Sequence, residues 1–260
     1  MVDGAIAVKT RPARGWATKH LGAPMNKSSH AHSSRRQFVQ GVLLAGSASL
    51  FGQQTAPAAA IPTAAEEKIS PVEDLMREHG VLNRVLVVYD EAIRRLESGE
   101  ELSPDPVRNA AKIVREYVED YHEKLEQDYL FPRFLNANCL PDLVQVLLEQ
   151  HLGGRNLTDE ALHLATLQTM KNADDRRRLA TSLRRFTRMY HAHESREDTV
   201  LFPIFRSLIS AHEYAALRED FDKRERELFG TESFPRMAER VAAIERQLGI
   251  AELARYTEGF

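Results

Sequence analysis

The sequence HESREDTVLFPIF, residues His193–Phe205, has a near copy in HEKLEQDYLFPRF, residues His122–Phe134. Each copy begins with His-Glu, places another Glu four residues after the His, and continues into Leu-Phe-Pro-x-Phe. Positions i and i+4 of an α-helix lie on one face, about 6 Å apart along the axis. The repeat therefore predicts two helices that each direct an imidazole and a carboxylate at one centre. The Leu-Phe-Pro is interpreted as packing followed by a helix-ending signal.

Each copy also has a matching histidine upstream. His79 precedes His122 by 43 residues, and His151 precedes His193 by 42. The chain is thus a twofold repeat of one helical hairpin, with a His on the first helix and His-x-x-x-Glu on the second. Two antiparallel hairpins would bring six side chains to one level of a bundle. These candidate metal ligands are His79, His122, Glu126, His151, His193 and Glu197.

Helix-start signals divide the body of the chain into helices. Ser70-Pro71-Val72-Glu73 combines an N-cap, a Pro at the first helical position and a capping-box Glu. Ser103-Pro104, Pro141-Asp142 and Asp174-Asp175 mark three further starts, and apolar residues recur every three to four positions after each. The helix that begins at Pro141 is expected to run on toward Met170. The sequence shows no strand alternation of useful length.

These signals predict an all-α fold, an antiparallel up-and-down four-helix bundle over residues 70–210. Two shorter helical patterns, at about 211–229 and 234–256, form a C-terminal helical extension over residues 211–260 that is expected to pack on the outside of the bundle. Burying His and Glu without a partner or a metal costs several kcal/mol. Ligand pairs beside apolar stripes therefore favour a metal site. The alternative is a plain bundle whose core histidines are satisfied by hydrogen bonds.

Residues 1–60 have the pattern of an export signal and leader. The stretch 34–39, SRRQFV, precedes an uncharged apolar run at 41–52 that is too short to span a bilayer. Ala58 and Ala60 then form the small-x-small pattern that a signal peptidase accepts. The order resembles a twin-arginine signal, which implies passage through the Tat translocon to a periplasmic or otherwise exported location, with no permanent membrane span.

The export signal carries two further predictions. Met25 is an alternative start that gives a more typical signal length, and residues 61–69 are interpreted as a linker before the bundle. The twin-arginine route generally exports folded proteins, often with a cofactor already inserted. The signal therefore favours a metal or cofactor in the rest of the chain.

Charge and cysteine content argue against a nucleic-acid-binding protein and against a protein stabilised by internal disulfides. The formal net charge is -3, yet residues 1–40 hold seven basic side chains and one acid, so the remainder carries about nine net negative charges. A body this acidic has no electrostatic basis for binding nucleic acid. Cys139 is the one cysteine of the chain and cannot form an internal disulfide.

The ligand pattern resembles the hemerythrin-like (HHE cation-binding) domain family over roughly residues 70–210. The six candidate ligands and the Leu-Phe-Pro after each pair carry this resemblance. It implies a non-haem di-iron centre inside the bundle, with two iron ions bridged by the two carboxylates and capped by the histidines. Imidazole and carboxylate donors without a thiolate suit such intermediate to hard ions. Manganese or a mixed pair of metals stays open.

The sequence departs from the oxygen-carrying members of that family at two places. Those proteins have a further histidine one turn after His151, where this chain has Arg155. Their last pair has a His-x-x-x-x-Asp spacing, at which Asp198 stands here beside the His193/Glu197 pair. One histidine fewer makes oxygen carriage less secure. It leaves a coordination position for water, an external ligand or another carboxylate.

Three functions fit these observations. The leading hypothesis is an exported di-iron protein that binds or senses dioxygen, nitric oxide or peroxide, with a redox partner that the sequence does not identify. The alternative is a di-iron redox enzyme acting on peroxide, ferrous iron or nitrosylated metal centres. Four tyrosines near the ligands offer such an enzyme a proton or an electron, namely Tyr117, Tyr121, Tyr129 and Tyr190. The third is a metal-free helical interaction module.

Other polar residues have weaker claims on the site. Glu123 and Glu194 each follow a ligand histidine and are candidates for assisting the metals, either directly or by holding a ligand in place. His163, His191 and His212 lack partners at ligand spacing or face away from the pairs. They are interpreted as surface or packing residues.

Overall fold

The computed structural model of the protein describes residues 69–231 and 233–257. All the regular secondary structure in those two ranges is helical, which confirms the all-α prediction. The leader at 1–60, with Met25, and residues 61–68 of the linker lie outside the described residues. The export signal therefore stays a prediction.

Four long helices form the bundle. Helix α1 is Pro71–Ser98, α2 runs over 104–136, α3 is Pro141–Leu164, and α4 runs over 173–208. Two of them change their winding along their length. The segments of α2 are α-helical Pro104–Ile113, π-helical Val114–His122, α-helical Glu123–Leu125, π-helical Glu126–Leu130 and α-helical Phe131–Asn136. Those of α4 are α-helical Ala173–Arg196, π-helical Glu197–Leu201 and α-helical Phe202–Leu208.

The first helix begins as its sequence predicts. The Ser70 hydroxyl accepts the Glu73 N–H at 3.3 Å, and the Glu73 carboxylate accepts the Ser70 N–H at 2.9 Å. Pro71 occupies the first helical position, where its missing N–H costs nothing. The helix stops at Gly99, whose φ of 77° is a left-handed conformation that glycine adopts without strain. Local sequence therefore determines both ends of α1.

Each bundle helix packs against two others. Helix α1 contacts α2 and α4, and α3 contacts the same two helices from the other side. The connections between successive helices are short, which makes them antiparallel neighbours. The buried faces of all four helices meet in one continuous core. The predicted four-helix bundle is confirmed.

Two helix ends differ from the sequence prediction. Pro132 and Pro203 do not end their helices, because α2 continues through Phe131–Asn136 and α4 through Phe202–Leu208. A Pro inside a helix clashes with the carbonyl four residues earlier, at Asp128 or Thr199. Both carbonyls lie in π-helical segments, whose wider winding accommodates the ring.

The third helix is also shorter than predicted. It ends at Leu164, and a separate short helix, Leu167–Lys171, follows it. Thr166 has an extended backbone, and its side chain accepts the Thr169 N–H. The residue therefore caps a new helix and interrupts the apolar pattern that pointed toward Met170.

Two C-terminal helices pack on the bundle, but the second ends at Leu248 rather than near residue 256, because Gly249 adopts a left-handed conformation that stops it. Helix α5 is Ala211–Phe229, α6 is Ser233–Leu248, and a short 3₁₀ turn, Leu253–Thr257, follows. Helix α6 packs on α1 and α2, and Arg84 on α1 donates to Glu245 on α6 at 2.9 Å. None of the helices in the described residues is both long and apolar enough to cross a bilayer.

Candidate metal centre

The bundle brings all six predicted ligands together in its interior. They come from four different helices, and none is more than 4 % exposed. Helix α1 contributes His79, α2 contributes His122 and Glu126, α3 contributes His151, and α4 contributes His193 and Glu197. The sequence repeat therefore corresponds to one shared cluster in space.

The six side chains divide into two groups of four. Pocket A consists of His79, His122, Glu126 and Glu197, and pocket B consists of His151, His193 and the same two carboxylates. Within each pocket one donor atom from each residue lies within 4.8 Å of the other three. Because both carboxylates belong to both pockets, the arrangement can hold two neighbouring metal ions.

Each carboxylate lies between one histidine of each pocket. The Glu197 oxygens are 3.4 Å from His79 Nε2 and 3.2 Å from His193 Nε2. The Glu126 oxygens are 3.8 Å from His122 Nε2 and 3.4 Å from His151 Nε2. Donor atoms that share one ion lie about 3 to 4 Å apart, because each is about 2.1 Å from the metal. The spacing fits bridging carboxylates.

The carboxylates have no other partners. Among the described residues, both oxygens of Glu126, both oxygens of Glu197 and Nε2 of His79 make no hydrogen bond, although all are buried. An unsatisfied buried polar atom costs about 1 to 3 kcal/mol, and more when it is charged. Metal ions would satisfy all of these atoms at once. The nitrogen and oxygen donors, with no thiolate, suit first-row metals such as iron or manganese.

Both glutamates that the two pockets share begin a π-helical segment. Glu126 opens the segment Glu126–Leu130, and Glu197 opens Glu197–Leu201. Such widened turns occur frequently at functional sites. Sequence reasoning with a regular angle per residue missed both segments. The available signal was the Pro six residues after each Glu, Pro132 and Pro203.

The histidines of pocket A are held by carboxylates. His79 Nδ1 is 2.8 Å from Asp198 Oδ1, and His122 Nδ1 is 2.7 Å from Glu78 Oε2. Occupation of Nδ1 fixes the ring and leaves Nε2 for a metal. Asp198 thus lies outside both groups of four and contacts the back of a histidine. From the sequence, Asp198 stands out only for its spacing from His193, and Glu78 was not predicted to contact a ligand.

The histidines of pocket B are held by amides. His151 Nδ1 is 2.8 Å from Gln127 Nε2, and His193 Nδ1 is 3.0 Å from Gln150 Oε1. Sequence reasoning also missed these two residues. The sequence does contain a signal for all four residues that hold the histidines, because each lies next to a ligand and at an equivalent position of the repeat. Residues 78 and 150 precede His79 and His151, and residues 127 and 198 follow Glu126 and Glu197.

Glu123 and Glu194, which each follow a ligand histidine, belong to neither group of four. Glu123 accepts the Tyr190 hydroxyl at 2.8 Å and an Arg155 guanidinium N–H at 3.1 Å. Glu194 accepts from the side-chain amide of Asn83. Arg155 is therefore directed at a carboxylate and adds no ligand in place of the histidine of oxygen carriers.

Of the four tyrosines singled out in the sequence, Tyr190 contacts the ring of a predicted ligand. Its ring lies 5.5 Å, centroid to centroid, from that of the ligand His193. Tyr117 and Tyr121 pack edge-on against Phe229 of α5, and Tyr129 packs against Phe221. Those three serve to attach α5 to the bundle.

The Phe of each Leu-Phe-Pro covers a histidine of the other hairpin. Phe202 stacks on His79 with ring centroids 5.5 Å apart, and Phe131 stacks on His151 at 5.6 Å. Both phenylalanines are buried. The packing role predicted for Leu-Phe-Pro is therefore confirmed, and it forms the apolar walls of the two pockets.

The metal-free site holds protons that a metal must displace. Burial raises the pKa of Glu126 to about 8, and the Glu197 carboxylate adds to the rise. Burial lowers the pKa of His122 and His151 to about 4, so both imidazoles are neutral at physiological pH. At His79 burial opposes the charge, yet the hydrogen bond with Asp198 raises the pKa well above its usual value. Metal binding therefore releases protons and weakens as pH falls.

The remaining histidines of the described residues lie away from the centre. His163, His191 and His212 are exposed. None of the three belongs to either group of four.

Comparisons with known proteins agree with this geometry. The family model for the hemerythrin HHE cation binding domain matches residues 70–204. Uncharacterized proteins of Mycobacterium tuberculosis and Mycobacterium bovis are each 39% identical to the chain over 255 residues, which covers 94% of this chain and 98% of the relative. No solved structure shows a significant match. The buried histidine and glutamate groups and the match over more than half of the chain place the protein in the hemerythrin HHE cation-binding domain family.

Proposed function

We propose that the protein is a non-haem di-iron protein that binds or senses a small ligand such as dioxygen, nitric oxide or peroxide. The observation that carries this proposal is the pair of pockets that share Glu126 and Glu197, whose oxygens have no other partner in the described residues. Two histidines with carboxylate donors form a ligand set typical of non-haem iron sites with open positions. Manganese or a mixed pair of metals is the alternative occupant.

The surroundings of the pockets suit ligand binding. Bound iron would supply open coordination and reversible electron transfer. Phe131 and Phe202 cover His151 and His79 and keep bulk water from the histidine faces. The partners on each Nδ1 hold the rings so that they need not reorient when a metal or ligand binds. The chain thus provides a buried group of donor atoms whose histidine rings are already held in place.

Metal analysis tests the proposal. Protein purified from iron-replete cells should contain two irons per chain, and its visible absorption should change on titration with dioxygen, nitric oxide or peroxide. His122→Ala and His151→Ala each remove one donor from one pocket and should lower the metal content, whereas His191→Ala, at an exposed position, should not. Metal-free wild-type protein from such cells would refute the proposal.

A di-iron redox enzyme is the second candidate. The observation that favours it is the buried Tyr190 hydroxyl, which donates to Glu123 beside the ligand His193. The hydroxyl could pass a proton or an electron to the centre while the enzyme acts on peroxide, ferrous iron or a nitrosylated metal centre, and a redox partner would then complete the cycle. Rapid peroxide or nitric oxide turnover that falls in Tyr190→Phe supports the enzyme. Tight reversible binding without turnover supports the binding or sensing function.

We also propose that the protein is exported through the Tat translocon. The support is the order of Arg35-Arg36, the apolar run 41–52 and the small residues Ala58 and Ala60, all in the sequence alone. Cell fractionation tests it. Wild-type protein should appear shortened in the exported fraction, and the double change Arg35→Lys and Arg36→Lys should retain it in the cytoplasm. Export of the double variant in unchanged amount would contradict this route.

A further inference from the structure

The two hairpins match at every ligand position and differ at the positions that hold the ligands. His79 and His151 are equivalent, as are Glu126 and Glu197. The residue before the first-helix histidine is Glu78 in one hairpin and Gln150 in the other. The residue after the glutamate is Gln127 in one and Asp198 in the other. Each hairpin therefore has one carboxylate and one amide at these positions.

The fold collects both carboxylates on the same pocket. Glu78 contacts His122 of its own hairpin, whereas Asp198 crosses to His79 of the opposite hairpin. Both of these histidines belong to pocket A. By the same crossing, Gln150 and Gln127 both contact histidines of pocket B. One pocket is thus held by two carboxylates and the other by two amides.

The next layer of polar groups increases the difference. Beside pocket A, Asn83 donates to the His79 carbonyl at 3.0 Å and to Glu194, and within the described residues no Lys or Arg forms an ion pair with Glu194 or Glu78. At the equivalent position of the other hairpin stands Arg155, whose guanidinium pairs with Glu123 at 3.1 Å. Pocket A is therefore flanked by carboxyl groups without an Arg or Lys ion pair in the described residues, and pocket B by an ion pair and neutral amides.

This difference bears directly on a bound cation. A carboxylate that accepts the Nδ1–H of a ligating imidazole raises the basicity of the ring and fixes its orientation. An amide does so less, and the Gln127 amide must also turn to present its oxygen to His151. Negative charge near a buried cation stabilises it, since the local dielectric constant is low. All these effects favour the ion in pocket A.

We propose that the two metal positions are inequivalent, with pocket A filling first and retaining its ion while pocket B exchanges its ion readily. Glu78 and Asp198 are the positioning residues that create the difference. The inference rests on the proposed function, because it requires two bound ions. Changes in the groups that hold metal ligands typically alter metal affinity by about 10- to 100-fold. The two positions should differ by a factor in that range.

Metal release from the full chain tests the inference. The protein loaded with two Co²⁺ ions is mixed with excess chelator, and release is followed by absorbance. The expected result is two phases of one ion each, separated by about 10-fold or more in rate. Release of both ions in one phase would overturn the inference while leaving the proposed function intact. A chain that binds no metal would overturn both.

Conservative variants assign the phases. Glu78→Gln and Asp198→Asn should each accelerate the slow phase about 10-fold and leave the fast phase unchanged. Gln150→Glu, the matched control at the equivalent position, should retard the fast phase. The double variant Glu78→Gln with Gln150→Glu gives each pocket one carboxylate and should merge the phases. Acceleration of the fast phase by Glu78→Gln would overturn the assignment. Because Asp198 is partly exposed, Asp198→Asn tests the same pocket without disturbing the core.

Discussion

The two hairpins of the bundle reach the same ligand arrangement by different packing. In the first, α1 and α2, a long π-helical segment, Val114–His122, ends at the histidine of the ligand pair and includes Tyr117, which packs on Phe229 of α5. In the second, α3 and α4, the ligand His193 lies at the end of a regular α-helix, and Gly154 leaves room for the Tyr190 hydroxyl. The positions of the ligand donor atoms are thus the same in both hairpins, whereas the side chains that pack around them differ.

The strongest test of the equivalence of the halves is removal of either carboxylate that the two pockets share. Glu126→Ala and Glu197→Ala should each abolish binding of both ions, because each glutamate serves both pockets. The loss includes the stabilisation by bound metal, about 4 kcal/mol at a metal concentration 1,000 times Kd. Metal content and urea unfolding with and without chelator measure the two effects.

Two outcomes would contradict that expectation. Retention of one ion by either variant would show that the two carboxylates are not equivalent bridges. Unchanged metal content and stability in both variants would support a metal-free helical interaction module. His191→Ala, on an exposed position of the same helix as Glu197, is the control for nonspecific loss of metal.

A second test compares Glu123 and Glu194, the carboxylates that directly follow the ligand histidines of α2 and α4, in metal-free protein. Burial raises the pKa of Glu194 from 4.5 to about 7. Burial also raises the pKa of Glu123, but His151, Tyr190 and Arg155 oppose that rise. The stability contributed by protonated Glu194 is complete below pH 4.5 and is lost as the pH rises through about 7. At about 1.4 kcal/mol per pKa unit, the loss is at most about 3 kcal/mol.

Glu194→Gln should remove this loss, so the stability difference between the variant and wild type should grow in the variant's favour over the same pH range. Urea unfolding at a series of pH values in the presence of chelator measures it. Glu123→Gln, the equivalent change in the other copy of the repeat, should show a smaller pH dependence. An equal dependence for the two variants would mean that Arg155 and Tyr190 do not offset the burial of Glu123.

A third test compares two glycines, Gly80 in α1 and Gly154 in α3, which are the first helices of the two hairpins. A Cβ built on Gly154 would lie 2.1 Å from the Tyr190 hydroxyl oxygen, whereas a Cβ on Gly80 meets nothing within 4 Å. Gly154→Ala should destabilise the protein by about 2 kcal/mol through overpacking. Gly80→Ala should stabilise it by up to about 1 kcal/mol, because Ala has the higher helix propensity. Thermal unfolding compares the two, and stabilisation by both would show that Tyr190 moves freely.

The sequence predicted the helices and the ligands because both depend on local rules. The capping box at Ser70 and Glu73 fixes the start of α1 through atoms three residues apart. The pairs His122/Glu126 and His193/Glu197 are four residues apart, a spacing that brings two side chains together on any helix. The internal repeat then matched the ligands of one hairpin with those of the other.

The Leu-Phe-Pro prediction was half wrong for an instructive reason. Its packing role is confirmed by Phe131 and Phe202, but its helix-ending role is wrong at both Pro132 and Pro203. The rule that Pro ends a helix considers only regular α-helical geometry. The π-helical segments before both prolines remove the clash on which the rule depends.

The sequence by itself therefore determined the four bundle helices, the capped start of α1 and the six residues that meet in the core. Tertiary structure alone decided which histidine each neighbouring carboxylate or amide contacts. His122 meets Glu78 across 44 positions of sequence, and His79 meets Asp198 across 119. No local periodicity relates positions so far apart, since their contact depends on the packing of whole helices. That packing directs both carboxylates to one pocket and both amides to the other.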